Sequence, residues 1–137
     1  MTAVIAPQEG SASLRLAFHG ASVRAARDRI KGALRDRCPD SHLDDARLVI
    51  SELVANSLRY AEPLDDQTIT VGWSLRPDVL RVSVTDGGSM SSVPTPRRPE
   101  ELATGGRGLK IVQAIAERWG VDRNGRGTTV WAELALH

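Results

Sequence analysis

Cysteine is almost absent from the sequence, since Cys38 is the only one among 137 residues. No disulfide can therefore close within the chain, and a zinc site built on several cysteines is excluded. The sequence also has no apolar run of the length needed to cross a bilayer. Neither sign of charge is in excess, because 18 Lys and Arg accompany 17 Asp and Glu and the two signs are interspersed. This balance disfavours a nucleic-acid-binding or membrane-binding surface.

The opening residues, MTAVIAPQEGSAS, do not have the pattern of a secretory signal. They lack a basic segment followed by a long apolar one. We therefore expect a cytoplasmic protein, with residues 1–12 as a flexible lead-in. Hydrophobic residues make up 41% of the chain and charged residues 26%, which is the balance of a globular domain with one sizeable core. Residues 13–137 are expected to form that domain.

Alternating apolar residues predict strands at residues 13–18, 68–75, 79–86 and 128–136. The residues Arg-Pro-Asp between the second and third strands predict a hairpin. Asn124 and Gly125 predict another hairpin turn just before the last strand. The long segment 87–104 is rich in Gly, Ser and Pro and is predicted to be a mobile loop.

Three segments have the apolar spacing of amphipathic helices. The first is predicted to run from Ser22, as its N-cap, to about Arg37, and the second from residues 41–45 to just before Pro63. The third covers residues 107–120, with Trp119 facing inward and Gly120 as the stop. The resulting order, β-α-α-β-β-loop-α-β-β, includes a strand before the Asn124 hairpin turn. It predicts an α+β two-layer sandwich with helices on one face of a mostly antiparallel sheet.

The second predicted helix carries an unusual polar line in the stretch ISELVANSLRYA, residues 50–61. Because successive helical residues turn by about 100°, Glu52, Asn56 and Arg59 fall within a band roughly 60° wide, away from the apolar stripe. A solvated helix face accounts easily for Glu52 and Arg59. It accounts poorly for Asn56, since asparagine is a mediocre helix former.

Three glycine-containing segments are further candidates for a ligand site: VSVTDGG at 82–88, TGGRGLKIV at 104–112 and GRGTTVW at 125–131. In the first, Asp86 can accept hydrogen bonds from a ligand's amino group, and Gly88 permits close approach and a positive φ. The second opens a helix with glycine-rich backbone, which favours an anion. An ordinary turn, a hinge or a simple hairpin would explain each segment taken alone.

In this order and spacing, the four segments resemble the GHKL superfamily, which includes gyrase, heat-shock chaperone ATPases, histidine kinases and mismatch-repair ATPases. The resemblance covers about residues 43–136 and implies the ATP-binding Bergerat fold. Within that superfamily the chain is most similar to the stand-alone anti-sigma factor serine/threonine kinases of bacterial partner-switching systems. Two positions depart from the usual pattern. Tyr60 stands where histidine is common and Ser57 where alanine is common, and neither is expected to carry the main chemistry.

The resemblance implies specific roles for the polar helix line. Asn56 would be the Mg²⁺ ligand, Glu52 the general base, and Arg59 a contact to phosphate. Asp86 would accept from the adenine amino group of ATP, and Gly88 would allow its close approach. The resemblance also implies a phosphate cradle, made by Gly106, Arg107, Gly108 and Leu109. A second contact to adenine would come from Thr128 or Thr129.

The implied function is an Mg²⁺-ATP-dependent kinase that sequesters a sigma factor and phosphorylates a serine of a STAS-domain anti-anti-sigma antagonist. A homodimer is also implied. One alternative is a non-catalytic nucleotide-binding module of the same fold, acting through protein contacts alone. Another is a detached histidine-kinase catalytic domain, which would need a phosphoacceptor histidine in the middle of a helix. None of His19, His42 and His137 is predicted there.

Overall fold

The computed structural model describes residues 11–88, 107–125 and 127–136. Within them, the elements are β1 (Ser11–Ala17), α1 (Ala21–Leu34), α2 (Asp40–Tyr60), β2 (Thr68–Leu75), β3 (Val79–Asp86), α3 (Arg107–Ile115), β4 (Arg118–Asn124) and β5 (Gly127–Ala135). The strands form an antiparallel sheet in the order β1-β2-β3-β5-β4. This confirms the predicted order of helices and strands and the α+β class, whereas the predicted mobile loop lies outside the described residues from position 89 onward. None of the described helices combines the length and apolarity that crossing a membrane requires.

The core lies between the helices and one face of this sheet. Alternate strand residues point to opposite faces, and only one set is buried. The buried strand residues are Leu14 and Leu16 of β1, Ile69, Val71 and Trp73 of β2, Leu80, Val82 and Val84 of β3, and Val130, Ala132 and Leu134 of β5. The helices contribute Ala26, Ile30, Leu34, Ala46, Val49, Ile50, Leu53 and Val54. These residues belong to the apolar stripes that the sequence predicted.

The bounds of β1 and α1 differ from the prediction. β1 begins at Ser11, so two residues expected in the lead-in belong to the sheet. Ser22 is not an N-cap, because α1 begins at Ala21 and the Ser22 hydroxyl donates to the Ala17 carbonyl at 2.6 Å. The helix ends at Leu34, before the predicted Arg37, since Arg35 leaves the helical conformation with ψ 137° and Asp36 has φ +68°.

The third helix is also shorter than predicted. It ends at Ile115, and Arg118–Asn124 forms β4, so Trp119 and Gly120 lie in a strand. Pairing with β5 overrides the local helical pattern, and a Cβ on Gly120 would come within 2.7 Å of the Trp131 ring. The predicted hairpin is present, but Asn124 belongs to β4 and pairs with Gly127.

Side chains on the sheet face opposite the helices join β4 to β5 and β3. The Trp131 ring lies under the guanidinium of Arg81 at 4.2 Å and near that of Arg118 at 6.0 Å. Glu133 pairs with the same two arginines at 3.4 and 3.7 Å. Exposed ion pairs contribute little stability alone, but this arrangement joins three neighbouring strands. It therefore fixes the edge strand whose inner face lines the site described next.

Candidate functional site

Four segments that are far apart in the sequence meet around one cavity of about 100 Å³. They are the last turns of α2, the end of β3, the first turn of α3 and the β4–β5 hairpin. The lining residues are Asn56, Ser57, Tyr60, Ala61, Asp86, Gly88, Leu109, Val121, Arg123, Thr128 and Val130. The fold thus brings together residues from all four segments that the sequence singled out.

Asp86 is the buried charge of this cavity, with only 4% of its surface exposed. The Ser57 hydroxyl donates to Oδ2 at 2.5 Å and the Gly88 N–H donates to Oδ1 at 2.8 Å. Burial raises the pKa of Asp86 above its ordinary 3.8, while these two hydrogen bonds act in the opposite direction. Each carboxylate oxygen can accept a second hydrogen bond. The site therefore offers a fixed acceptor to a ligand N–H group.

The two glycines after Asp86 let the end of α2 pass close to the end of β3. A Cβ on Gly87 would lie 2.1 Å from the Pro63 carbonyl oxygen, which leaves room for hydrogen alone. Two backbone hydrogen bonds join the segments, from Glu62 N–H to Gly88 O at 2.9 Å and from Gly87 N–H to Glu62 O at 2.7 Å. Gly88 has φ +101°, so the expected positive φ is confirmed. This junction holds α2 beside β3, where Ser57 reaches Asp86.

Strand register decides which threonine belongs to the site. Asp86 pairs with Thr128, and Thr128 pairs with Arg123, so these residues form one row across β3, β5 and β4. Thr129 instead pairs with Thr85, and their hydroxyls lie 2.7 Å apart on the opposite face of the sheet. Of the two threonines proposed for the second ligand contact, Thr128 therefore lines the cavity. Thr129 is corrected to a residue outside it.

Asn56 presents a buried oxygen to the cavity. Its Oδ1 has no hydrogen-bond partner among the described residues, and a buried carbonyl left in that state costs roughly 1–3 kcal/mol. An amide oxygen is a suitable ligand for a hard cation such as Mg²⁺. The described residues contain no cluster of three or more His, Cys, Asp or Glu side chains. Asn56 thus fits a Mg²⁺ that takes its other ligands from phosphates and water.

Glu52 and Arg59 are not part of the cavity lining, although both lie on α2 beside Asn56. Glu52 is half-buried one turn earlier, and Arg59 is exposed, with its guanidinium 5.8 Å from the Tyr60 ring centre.

In the predicted phosphate cradle, Gly106 lies outside the described residues, Arg107 and Gly108 open α3, and Leu109 is buried against the cavity. The phosphate-binding roles of these residues stay predictions.

Three polar lining residues were not among the predicted site residues. Ser57 and Tyr60 were expected to be peripheral to the chemistry, yet both line the cavity and Ser57 holds Asp86. Arg123 has no predicted role, because the predicted third helix continues to Gly120 and the strand predicted after it has no assigned residues. The turn at Asn124 was the available signal, since a hairpin there brings Arg123 opposite Thr128.

The sequence matches the family model described as "Histidine kinase-like ATPase domain" over residues 16–134. The match extends from within β1 to within β5 and includes every cavity-lining residue. Among curated proteins, none matches the sequence significantly.

Proposed function

Because the chain belongs to the histidine kinase-like ATPase domain family and carries its ATP-binding, kinase-type fold, we propose that it is a serine/threonine kinase of a partner-switching system. In this proposal, the protein uses Mg²⁺-ATP to phosphorylate a serine on a STAS-domain anti-anti-sigma protein. It also binds a sigma factor and so regulates transcription. A cytoplasmic homodimer is part of the same proposal.

The convergence of Asn56, Asp86 and Thr128 on one cavity is the observation that carries the nucleotide part of this proposal. The adenine amino group would donate to Asp86, whose carboxylate is already oriented by Ser57 and Gly88. The base would lie between apolar walls that include Leu109 and Val130. An adenine-sized heterocycle needs this combination of an apolar slot and one fixed acceptor.

The phosphate end would lie along the polar line of α2. Asn56 would hold Mg²⁺, which neutralises charge on the phosphate oxygens when bound. Glu52, one turn earlier, would accept the proton of the substrate serine as its oxygen bonds to the γ-phosphorus. The bond from the γ-phosphorus to the bridging oxygen of ADP breaks in the same step. The backbone N–H groups that open α3, at Arg107, Gly108 and Leu109, would bind phosphate oxygens.

Two observations bear on the alternatives. His19 follows β1 and accepts a hydrogen bond from the Ala21 N–H at its Nδ1, while His42 lies in the first turn of α2, so neither is a mid-helix phosphoacceptor. Glu52 and Arg59 lie outside the cavity lining, which keeps a non-catalytic binding module as the second candidate. Incubation with γ-labelled ATP and STAS-domain proteins separates the two. A labelled serine supports the kinase, whereas nucleotide binding without transfer supports the module.

Asn56→Ala is expected to remove the Mg²⁺-dependent part of ATP binding. Wild-type protein should bind ATP more tightly with Mg²⁺ than in chelator, and the variant should lose that difference, about tenfold or 1.4 kcal/mol. Affinity in chelator should stay within about twofold of wild type, since Asp86 and the apolar walls are unchanged. Calorimetric titration of ATP under both conditions measures this. An undiminished Mg²⁺ effect in the variant would exclude Asn56 as the ligand.

Ser57→Ala is expected to weaken ATP binding several-fold and to shift its pH dependence upward. The Ser57 hydroxyl lowers the pKa of Asp86, so its removal raises that pKa further. Adenine needs the ionised carboxylate, and affinity therefore falls at a higher pH in the variant than in wild type. Calorimetry across a pH series measures the shift.

Ser51→Ala is the matched control, because the Ser51 hydroxyl donates only to the Leu48 carbonyl on an exposed part of the same helix. It should leave both affinity and pH dependence unchanged. Identical pH profiles for Ser57→Ala and wild type would mean that Ser57 does not orient the acceptor.

A further inference from the structure

A second concave site lies between the first half of α1 and α2. It shares no lining residue with the cavity around Asp86, which is called the nucleotide cavity below. Its volume is about 380 Å³. The lining residues are Gly20, Val23, Arg24, Arg27, Asp28 and Arg47, and this set is called the arginine groove below. Three guanidinium groups thus accompany a single carboxylate.

The arginines of the groove have no counterion among the described residues. No ion pair or hydrogen bond joins Asp28 to Arg24, Arg27 or Arg47 there. The Nε of Arg47 is buried and likewise without a hydrogen-bond partner in the described part of the chain. A buried guanidinium N–H in this state is unfavourable, and an anionic ligand would satisfy it.

The basic character continues from the groove along the outer face of α1. Arg24, Arg27 and Lys31 are exposed and spaced three and four residues apart, so they lie on one side of the helix over about 10 Å. Arg35 follows at the end of the helix and is also exposed. The whole chain has a net charge of only +1, so this face is a local concentration of positive charge.

We infer that the arginine groove docks an acidic segment of a partner protein, with carboxylates on Arg24, Arg27 and Arg47. Guanidinium groups bind carboxylates through paired N–H donors, and the elongated basic face suits a peptide segment better than a compact ion. Asp28 strengthens this choice. It would repel a multivalent phosphate lying among the arginines, whereas a peptide can present a donor to it. The inference does not depend on the proposed kinase activity.

The test uses the full-length protein labelled with ¹⁵N and a synthetic Glu-rich peptide, with the corresponding Gln peptide as the neutral control. NMR signals of the arginine Nε–Hε groups report directly on the groove. The Glu peptide should shift the signals of Arg47, Arg24 and Arg27, and the Gln peptide should not. The affinity should fall as salt is raised, because the contact is electrostatic.

Two substitutions with the same change of charge separate a specific site from general attraction. Arg27→Glu should weaken Glu-peptide binding about tenfold, whereas Arg76→Glu, in the exposed β2–β3 turn, should change it less than about twofold. Arg47→Met should also lose peptide binding while the protein stays folded. Equal losses in the two Glu variants would overturn the inference. So would inorganic phosphate or duplex DNA that shifts the Arg47 signal at lower concentration than the peptide.

Discussion

Asp86→Asn is expected to abolish detectable ATP binding while leaving the fold at least as stable as wild type. The substitution places an N–H₂ group or a weaker neutral acceptor where the adenine amino group would donate in the proposed complex. A buried charge-assisted hydrogen bond is lost and two donors can oppose each other, so affinity should fall by at least about 100-fold, or 2.7 kcal/mol. Calorimetric titration of ATP measures the loss. If the folded variant bound ATP with wild-type affinity, Asp86 would not be the acceptor for the adenine amino group.

The stability of the same variant follows from the raised pKa of Asp86. The folded protein holds this proton at a higher pH than the unfolded chain, whose carboxyl has the ordinary value near 3.8. Ionised Asp86 therefore lowers the free energy of unfolding above its raised pKa, and this cost disappears as the pH falls below the ordinary value. Asn carries no such cost. Urea unfolding at neutral and acid pH should show the variant gaining stability over wild type only at the higher pH.

Asp66→Asn provides a control of opposite sign. Asp66 accepts hydrogen bonds from Thr68 and from Arg15, and the Thr68 contact is the main cause that lowers its pKa. Its contribution is present above the ordinary pKa and is lost as the pH falls through the lowered one. This variant should therefore lose stability relative to wild type at neutral pH and not in acid. If the stability of both variants relative to wild type changed in the same direction with pH, the raised pKa of Asp86 would be contradicted.

Glu52→Ala is expected to reduce phosphotransfer by about 10²–10⁴-fold, which is the range for loss of a general base. Glu52 does not line the nucleotide cavity, so the dissociation constant for Mg²⁺-ATP should stay within about twofold of wild type. Single-turnover transfer of label to a STAS-domain protein measures the first quantity, and calorimetry the second. A fall in transfer without a change in binding is the signature of a group that acts only in the reaction.

Asp45→Ala is the matched control for Glu52→Ala, because Asp45 is an exposed carboxylate on the same helix. It should leave transfer unchanged. Wild-type transfer rates in Glu52→Ala would remove Glu52 from the role of base. If wild-type protein binds ATP but labels no partner, the kinase proposal fails and the arginine groove is unaffected, since its test uses peptide binding alone.

The elements that were predicted well are those with strong local patterns. The apolar stripe of α2 and the alternation in β2 and β3 specify both the element and its buried face, because one period fits each run. Asp86, Gly88 and Asn56 were also identified from sequence. Asn56 is a residue type that a solvated helix face explains poorly, and such departures tend to mark functional sites. Asp86 and Gly88 would pass for an ordinary turn alone and were singled out by the order of the four segments and their resemblance to a known family.

The sequence by itself determined the fold class, the core faces and the residues with unusual chemistry, since all of these follow from local spacing and residue type. Only the tertiary structure decided which partners they meet. Strand pairing placed residues 118–120, which were predicted as the end of a helix, in β4, and register placed Thr128 inside the cavity and Thr129 outside it. The approach of α2 to β3 brought Ser57 to Asp86, and the packing of α1 on α2 gathered arginines that are interspersed in the sequence. These contacts join residues far apart in the chain, where local periodicity carries no information.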